Sequence, residues 1–295
     1  MEIHTIKTSR FLKKLLPLPV ALTLSSACSA GEISIVATNT ILADMAKEIT
    51  GNKIEIHSLI GPDEEVHAFS PKPSDLKTIS SSNLFITNGY NLEGWLQKLS
   101  LKVKTIEAAK GIKPIRKNGE TDPHAWSSAF NAPVYIDNIT YSICAEIPAN
   151  CNEFKENANN YKNKIAELAK NYKEKFNQIP EDKRKAITTH DAFSYLARDF
   201  GIDFVPVKGV NEETEISAKI LADIIKQIKL SEIRIIFIEN ISNTHFAKQL
   251  TQETSAVIGG KLYSDALSKD ENANSYYKLL ESNLQTIYDA LSGTK

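Results

Sequence analysis

The stretch from Glu153 to Gln178 constrains the fold of this chain more than any other segment. Its apolar residues recur at every third or fourth position and form one stripe along an α-helix: Phe154, Ala158, Tyr161, Ile165, Leu168, Tyr172 and Phe176. Pro148 precedes the stretch and Pro180 follows it, and proline commonly bounds a helix. Such a helix would be about 39 Å long. We expect a rigid helix that joins two lobes, with the functional site in the cleft between them.

The N-terminus has the three-part pattern of a secretory signal peptide. Four basic residues come first: Lys7, Arg10, Lys13 and Lys14. An apolar run from Leu15 to Leu24 follows, and small residues from Ser25 to Ala30 end the segment. The run is too short to span a bilayer, which takes about 20 residues. A buried core helix is the alternative, but the pattern favours residues 1–30 as a signal peptide for export to the periplasm.

Cys28 leaves two fates open for the processed N-terminus. Cleavage after Ala30 fits the small residues at Cys28 and Ala30. Alternatively, Cys28 is the lipid-anchored cysteine of a lipoprotein. Leu24 lies one position too early for the usual leucine-led lipoprotein signal, so the sequence favours simple cleavage.

The charge of the chain argues against one class of partner. The formal net charge is −1, and loss of residues 1–30 removes four basic residues and Glu2, which leaves −4. No basic run remains beyond the signal segment. The sequence therefore does not indicate a nucleic-acid-binding surface.

Cys144 and Cys151 are the two cysteines beyond the signal segment, and they lie seven positions apart on either side of Pro148. An exported protein folds in an oxidising compartment, which favours a local disulfide. Two small buried residues are the alternative. We predict the disulfide.

Strand-like and helix-like segments alternate on both sides of the long helix. β-branched or alternating runs predict strands at 33–37, 53–60, 83–87 and 103–108, and then at 186–189, 203–207, 233–239 and 261–264. Helical spacing predicts helices at 41–49, 74–80, 92–99, 131–146, 191–200, 216–228, 244–254 and 273–291. This alternation is typical of α/β folds. We expect two lobes, each a mostly parallel four-stranded sheet flanked by helices, at residues 31–152 and 182–295, bridged by a rigid helix at 153–181.

Four polar residues stand at or beyond the carboxyl ends of predicted strands: His67, His124, His190 and Asp265. Ligands of parallel sheets bind outside these strand ends. Imidazole is the commonest metal ligand near neutral pH, and three imidazoles with one carboxylate complete a four-ligand shell for a divalent cation. No HExxH motif or CxxC pair is present to add support. Each lobe supplies two of the four residues, so a cleft between the lobes would receive them all.

Several motifs surround these residues. The most specific are Asp122-Pro123-His124-Ala125-Trp126 and THDAFSYLARDFG at 189–201, and further ones are GVNEETEIS at 209–217, IFIE at 236–239 and GGKLYSDALS at 259–268. Together they resemble the periplasmic metal-binding proteins of zinc and manganese ABC importers, the solute-binding class whose lobes are bridged by one long helix. The resemblance extends from Ile33 to the C-terminus. The loop EVHAFSP at 65–71 departs from the family by having Glu-Val in place of Asp-Pro before the histidine.

The resemblance implies both a site and a function. The implied metal ligands are the same four residues, His67, His124, His190 and Asp265. The implied function is that of a monomeric binding protein, not an enzyme. It would capture one divalent ion, Mn²⁺ or Zn²⁺, and deliver it to an inner-membrane ABC permease with its ATPase. The linking helix would limit hinge opening, so we expect the lobes to move little.

Residues close to these ligands have two interpretations each. Glu239 either orients a histidine ring or serves as a helix cap or ion-pair partner. Asp122 and Asp191 are interpreted as caps of the helices that follow them. Three aromatic residues either wall the site or pack in the core, with core packing favoured: Phe69, Trp126 and Phe193.

The cognate metal and two rival functions stay open. Three imidazoles with a carboxylate suit zinc and also admit manganese or iron. Zinc members of the family often carry a His-rich loop before the second ligand, whereas the loop at 110–121 contains no histidine. A zinc hydrolase would need an open coordination position and a base, for which Glu64, Glu65 or Glu239 is available. A metal-independent adhesin on the same fold would need none of the four ligands.

Overall fold

Two parallel sheets organise the computed structural model. The structure describes residues 1–2, 33–51, 53–117, 119–206, 218–231, 233–240 and 244–293. Nearly all of the predicted signal peptide, including Cys28, and the motif at 209–217 lie outside the described residues. Residues 33–295 form one compact unit that contains both sheets. None of the described helices combines the length and the apolar content needed to cross a bilayer.

The first sheet contains β1 (Ser34–Ala37), β2 (Glu55–Ser58), β3 (Leu84–Thr87) and β4 (Lys104–Glu107). The strand order is β2-β1-β3-β4, and every pairing is parallel. Three helices pack against it: α1 (Thr40–Thr50), α2 (Pro73–Ser81) and α3 (Ala132–Glu146). Helix α1 begins where the Asn39 side chain accepts a hydrogen bond from the Leu42 N–H, and it ends at Gly51, whose φ of 60° suits glycine.

The linking helix is α4 (Cys151–Asn177), which begins and ends within two residues of the predicted stretch. All seven residues of the predicted apolar stripe are buried. Helix α4 contacts α1 and α3 of the first lobe and also two helices of the second lobe, α5 (Ser194–Phe200) and α8 (Tyr276–Ser292). One buried stripe therefore serves both lobes, and the prediction of a long helix that joins them is confirmed.

The second sheet contains β7 (Lys185–Thr188), β8 (Asp203–Pro206), β9 (Ile235–Glu239) and β10 (Val257–Leu262). Its order is β10-β9-β7-β8, again entirely parallel. Two further α-helices among the described residues are α6 (Ala218–Ser231) and α7 (Thr244–Glu253). The predicted fold class, two α/β lobes with parallel four-stranded sheets, is confirmed.

The predicted disulfide is confirmed. Cys144 near the end of α3 is bonded to Cys151 at the start of α4, and their Cα atoms lie 4.8 Å apart. The bond spans the proline turn between the two helices. A cross-link over so short a loop stabilises the folded state by about 2 kcal/mol in the chain-entropy account.

Several elements differ from the sequence-based expectation. The segment predicted as a helix at 92–99 forms a 3₁₀-helix, Gly94–Lys98, and α5 begins at Ser194, three residues later than predicted. The loop before His124 contains a short antiparallel hairpin, β5 (Arg116–Lys117) and β6 (Glu120–Thr121), which the sequence did not indicate.

Strand β10 begins at Val257, four residues before its predicted start, and passes through Gly259 and Gly260. Glycine pairs usually break strands. Here the strand lies so close to its neighbours that a Cβ on Gly259 would be 2.6 Å from Cγ2 of Ile235. Glycine is the residue that permits this approach, so the pair extends the strand and does not end it.

Candidate metal centre

The structure brings the four predicted ligands together at the carboxyl ends of the two sheets. His67 lies in the loop between β2 and α2, and His124 follows the β5–β6 hairpin. His190 comes two residues after β7, and Asp265 comes three residues after β10. One potential ligand atom from each side chain lies within 4.8 Å of all the others. Parallel strands place their carboxyl ends at one edge of a sheet, which explains how residues so distant in sequence meet.

The spacing of these atoms suits a small cation. The Nε2 atoms of His67 and His124 are 2.9 Å apart. Asp265 places Oδ2 at 3.5 Å from Nε2 of His67 and Oδ1 at 3.4 Å from Nε2 of His124. Two ligands of a tetrahedral Zn²⁺ at about 2.1 Å from the ion lie about 3.4 Å apart. The donor set therefore fits a first-row divalent ion.

Asp265 is the most informative residue of the site. Its side chain is 0% exposed, and neither carboxylate oxygen accepts a hydrogen bond from the residues that the structure describes. A buried carboxylate without a partner is costly, because removing an ion from water costs several kcal/mol. The surrounding groups are imidazole nitrogens at 3.4–3.8 Å. A cation held by all four side chains would compensate this charge.

A second layer of carboxylates orients two of the imidazoles. Oδ1 of Asp122 accepts hydrogen bonds from the backbone N–H of His124, at 2.9 Å, and from its Nδ1, at 2.8 Å. Because an ionised carboxylate only accepts, Nδ1 carries the proton and Nε2 presents its lone pair to the centre. Asp122 was expected to cap a helix, and that interpretation is wrong: the 3₁₀-helix Ala125–Ser127 begins after His124, and the carboxylate faces the imidazole.

Glu239 has the corresponding role toward His190. Its Oε2 lies 3.2 Å from Nδ1 of His190, and its Oε1 accepts hydrogen bonds from the His190 N–H and the Thr189 hydroxyl, each at 2.9 Å. Glu239 is almost fully buried at the end of β9. Of the two interpretations offered by the sequence, the contacts match ring orientation: Nδ1 of His190 lies 3.2 Å from Glu239 and 3.8 Å from Oδ2 of Asp265.

Asp191 was also expected to cap a helix, and this too is wrong. Helix α5 begins only at Ser194, with Phe193 as its N-cap. Oδ1 of Asp191 instead accepts a 2.5 Å hydrogen bond from Nζ of Lys117 in the β5–β6 hairpin. The sequence did not signal this pair, because its members are 74 residues apart. It ties the loop after His190 to the first lobe.

Two of the imidazoles, those of His67 and His190, have pKa values shifted in opposite directions by their surroundings. Partial burial, with help from two neighbouring imidazoles, lowers the pKa of His67 to about 4. Burial also acts to lower the pKa of His190, but Asp265 and Glu239 outweigh it and raise the pKa to about 9. At neutral pH, His67 is therefore neutral, whereas His190 holds a proton that a cation would displace.

The aromatic residues near the site lie mostly in the core. Trp126 both walls the site and packs in the core. Its ring centroid is 5.3 Å from that of His124, and the buried side chain donates from Nε1 to the Ser264 carbonyl at 2.8 Å. Phe193 is buried beside Phe204, with ring centroids 5.8 Å apart. The half-buried Phe69 packs on a tryptophan of the first lobe, Trp95, at 5.7 Å.

Comparison with known proteins identifies the family. A family model described as the periplasmic component A of the zinc-uptake complex matches residues 35–290. The chain belongs to this family. Its members are solute-binding proteins. Within the family, the iron-binding protein YfeA of Yersinia pestis is 34% identical over 268 residues, which cover 88% of this chain and 86% of YfeA.

Two further relatives carry names that refer to metal transport or metal binding. FimA of Streptococcus parasanguinis, named a metal ABC transporter substrate-binding lipoprotein, is 30% identical over 91% of this chain and 92% of its own length. The Mn-bound periplasmic metal-binding protein of Candidatus Liberibacter asiaticus is 31% identical, with a TM-score of 0.79 over 88% of this chain and 99% of that one. The family's fold, with two lobes and a long linking helix, is the one described above.

Proposed function

We propose that this protein is the solute-binding component of an ABC importer for a divalent transition metal. It captures the ion in the cleft between its lobes and delivers it to a membrane permease that works with an ATPase. The observation that carries the proposal is the buried carboxylate of Asp265, which has three imidazoles around it and no hydrogen-bond donor among the described residues. Family membership and the metal-related names of its relatives support it.

The proposed ligands are the imidazoles of His67, His124 and His190 together with the carboxylate of Asp265. This set supports Zn²⁺ or Mn²⁺ as cargo: imidazoles suit zinc, and the carboxylate also suits manganese. The relatives are named for manganese, iron or metal in general, and the family description names zinc. The ion is cargo, bound and released without chemical change, so we propose that the protein is not an enzyme.

The cellular setting follows from the same proposal. Residues 1–30 act as a signal peptide, cleavage follows Ala30, and the mature protein is a monomer in the periplasm. Residues 31–152 and 182–295 are the two lobes, and residues 153–181 are the link. Ligands drawn from both lobes couple the binding of the ion to the arrangement of the lobes, so a small shift of one lobe on the permease would release it.

Elemental analysis of the mature protein, purified from its native compartment, tests the proposal. We expect about one equivalent of manganese or zinc per chain, absent from both His67→Ala and Asp265→Ala variants. Glu153→Gln is the matched control and should retain the metal. It alters only an exposed ion pair between Glu153, on α4, and Lys53. A protein that carries no metal, and whose melting temperature does not change when Mn²⁺ or Zn²⁺ is added, would refute the transport function.

A further inference from the structure

One exposed carboxylate joins the loop of His67 to the second lobe. Asp63 lies four residues before His67, in the loop between β2 and α2. Its Oδ1 accepts a hydrogen bond from Nδ2 of Asn240 at 2.9 Å, and its Oδ2 accepts one from the N–H of Lys269 at 3.1 Å. Its own N–H donates to the carbonyl of Leu267 at 2.9 Å. We call this group of four residues the Asp63 clasp.

The clasp reaches two segments of the second lobe that adjoin the metal centre, one after β9 and one after β10. Asn240 directly follows Glu239, the carboxylate that contacts His190, and Leu267 and Lys269 closely follow Asp265. The segment that follows Asp265 makes a further contact with the first lobe: the Leu267 N–H donates a hydrogen bond to the hydroxyl of Thr40 at 2.9 Å. One side chain of the first lobe therefore bonds both to the segment that carries Asp265 and to the residue next to the carboxylate that contacts His190.

The backbone at Asp63 is shaped for this contact. Asp63 has a φ of 61°, in the left-handed region that few residues other than glycine, asparagine and aspartate adopt readily. This conformation lets the residue present its N–H and both carboxylate oxygens to the second lobe together. The Asp63 pKa also fits a group held as an anion: burial acts to raise it, but the donors from Asn240, Ser268 and Lys269 lower it.

The clasp lies beside the open side of the metal centre. The side chain of His67 is 40% exposed, against 17% for His190, 5% for His124 and 0% for Asp265. Among the four proposed ligands, the His67 side is therefore the most accessible to solvent. The contacts that hold this loop in place set how often that side opens.

We propose that Asp63 is a positioning residue that holds the His67 loop closed over the bound metal and sets its rate of release. The inference rests on the proposed function. Asp63 does not touch the ion; it stabilises the arrangement in which His67 and Asp265 are close enough to share it. Loss of the clasp lowers the population of that arrangement, and the apparent affinity falls by the same factor.

The test measures metal release from the purified holo protein after mixing with excess EDTA, with Mn²⁺ and Zn²⁺ in separate runs. Asp63→Gly removes the hydrogen bonds that the side chain accepts and keeps the backbone conformation without strain. We expect release to be about tenfold faster, a small effect for hydrogen bonds to a charged group because Asp63 is exposed to water. Asp63→Asn, which keeps one acceptor oxygen, should give an intermediate rate.

Two comparisons separate this role from general destabilisation. Asn240→Ala breaks the clasp from the other lobe. The double variant should therefore release metal at most about twofold faster than Asp63→Gly alone. Asp137→Asn, which breaks an exposed ion pair between α3 and α4, should leave the rate unchanged. The melting temperature of each metal-free variant checks folding, and Asn240→Ala gives the answer alone if Asp63→Gly does not fold.

Several results would overturn the inference. A wild-type release rate in Asp63→Gly would show that the clasp does not govern release, as would fully multiplicative effects of Asp63→Gly and Asn240→Ala. In either case the wild-type protein still binds one metal ion, and the proposed function stands. A wild-type protein that takes up neither Mn²⁺ nor Zn²⁺ would instead refute the proposed function and the inference together.

Discussion

At the scale of single residues, the metal centre depends on carboxylates that do not face the ion. Glu239 contacts Nδ1 of His190 and also accepts from its backbone N–H, so one side chain sets both the ring orientation and the local backbone. Asp122 makes the same pair of contacts with His124. Each of these two imidazoles is thus held in place by a buried carboxylate at its Nδ1 atom.

This arrangement predicts that Glu239→Gln weakens metal binding by about 10- to 100-fold. The glutamine amide has nearly the shape of the carboxylate, but it lacks the charge, and its NH₂ group cannot accept the Nδ1 proton of His190. Competition with a chelating dye measures the affinity. Glu153→Gln makes the same chemical change at an exposed residue of α4 and should leave the affinity unchanged. Equal affinities for Glu239→Gln and the wild type would contradict the orienting role.

Asp44 on α1 predicts an effect of pH on stability. Its carboxylate accepts a hydrogen bond from the Tyr276 N–H at 2.8 Å, at the start of α8, and burial raises its pKa from 3.8 to about 6. Because the folded-state pKa exceeds the unfolded value, the folded state binds more protons between about pH 4 and pH 6, and stability falls as the pH rises through that window. Asp44→Asn keeps the acceptor oxygen and removes the charge, so the free energy of unfolding at pH 7.5 should rise by about 3 kcal/mol.

Urea denaturation of the metal-free protein at pH 7.5 and near pH 4 measures this effect. The gain in Asp44→Asn should disappear at the lower pH, where the wild-type carboxyl is protonated in the folded state. Asp137→Asn on the exposed side of α3 serves as the control and should change the stability little at either pH. A gain of the same size at both values would mean that charge burial at Asp44 is not its cause.

At the scale of elements, strand β10 depends on the absence of a side chain. A Cβ on Gly259 would lie 2.6 Å from Cγ2 of Ile235 and 2.8 Å from Cε1 of Phe237, which are atoms of the neighbouring strand β9. Real Cβ atoms do not approach so closely, so the strand or the core must shift. Asp265 lies three residues beyond the end of this strand.

We therefore expect Gly259→Ala to lower the free energy of unfolding by about 1–3 kcal/mol, the usual cost of overpacking a core. It should also weaken metal binding, because a displaced β10 moves Asp265. Gly94→Ala is the matched control, because a Cβ at Gly94 would meet no atom nearer than 3.7 Å. The free energy of unfolding of this variant should differ from the wild type by less than about 0.5 kcal/mol. Urea denaturation of both variants measures the difference, and a stable Gly259→Ala variant would contradict the packing argument.

At the scale of the whole molecule, the two lobes share their largest apolar cluster and one site. A single cluster of buried apolar residues includes Ile35 of the first sheet, Ile165 of α4 and Phe237 of the second sheet. The proposed ligands also come from both lobes. An ion bound in the cleft therefore holds together parts of the chain that the core already joins, and its binding energy adds to the stability of the folded state.

This predicts a large thermal shift on metal binding. At a free ion concentration of about 100 times the dissociation constant, binding adds about 2.7 kcal/mol, which raises the melting temperature of a protein of this size by roughly 5 °C or more. Asp265→Asn should show no such shift, because it removes the buried charge that the cation balances. Scanning calorimetry with and without Mn²⁺ or Zn²⁺ measures the shift. Equal shifts for the two proteins would place the ion elsewhere.

Local patterns in the sequence determined most of the fold. The apolar stripe of α4, the parallel sheets and the position of four polar residues at strand ends all follow from periodicity, because the side chains of a helix or strand repeat along the chain itself. Those same patterns brought His67, His124, His190 and Asp265 to one cleft. The motifs around them added the family and its function.

Only the tertiary structure decided which atoms meet across the chain. Asp122 was expected to cap a helix, but its carboxylate contacts the imidazole of His124. Gly259 is a residue type that weakens strands, but it lies inside β10. Asp63 and Asn240 are 177 residues apart, and no local pattern relates them. The physical reason is the same in each case: a periodic pattern shows which face of an element is buried, whereas a contact between distant residues depends on how the lobes pack, and that is set by all the elements together.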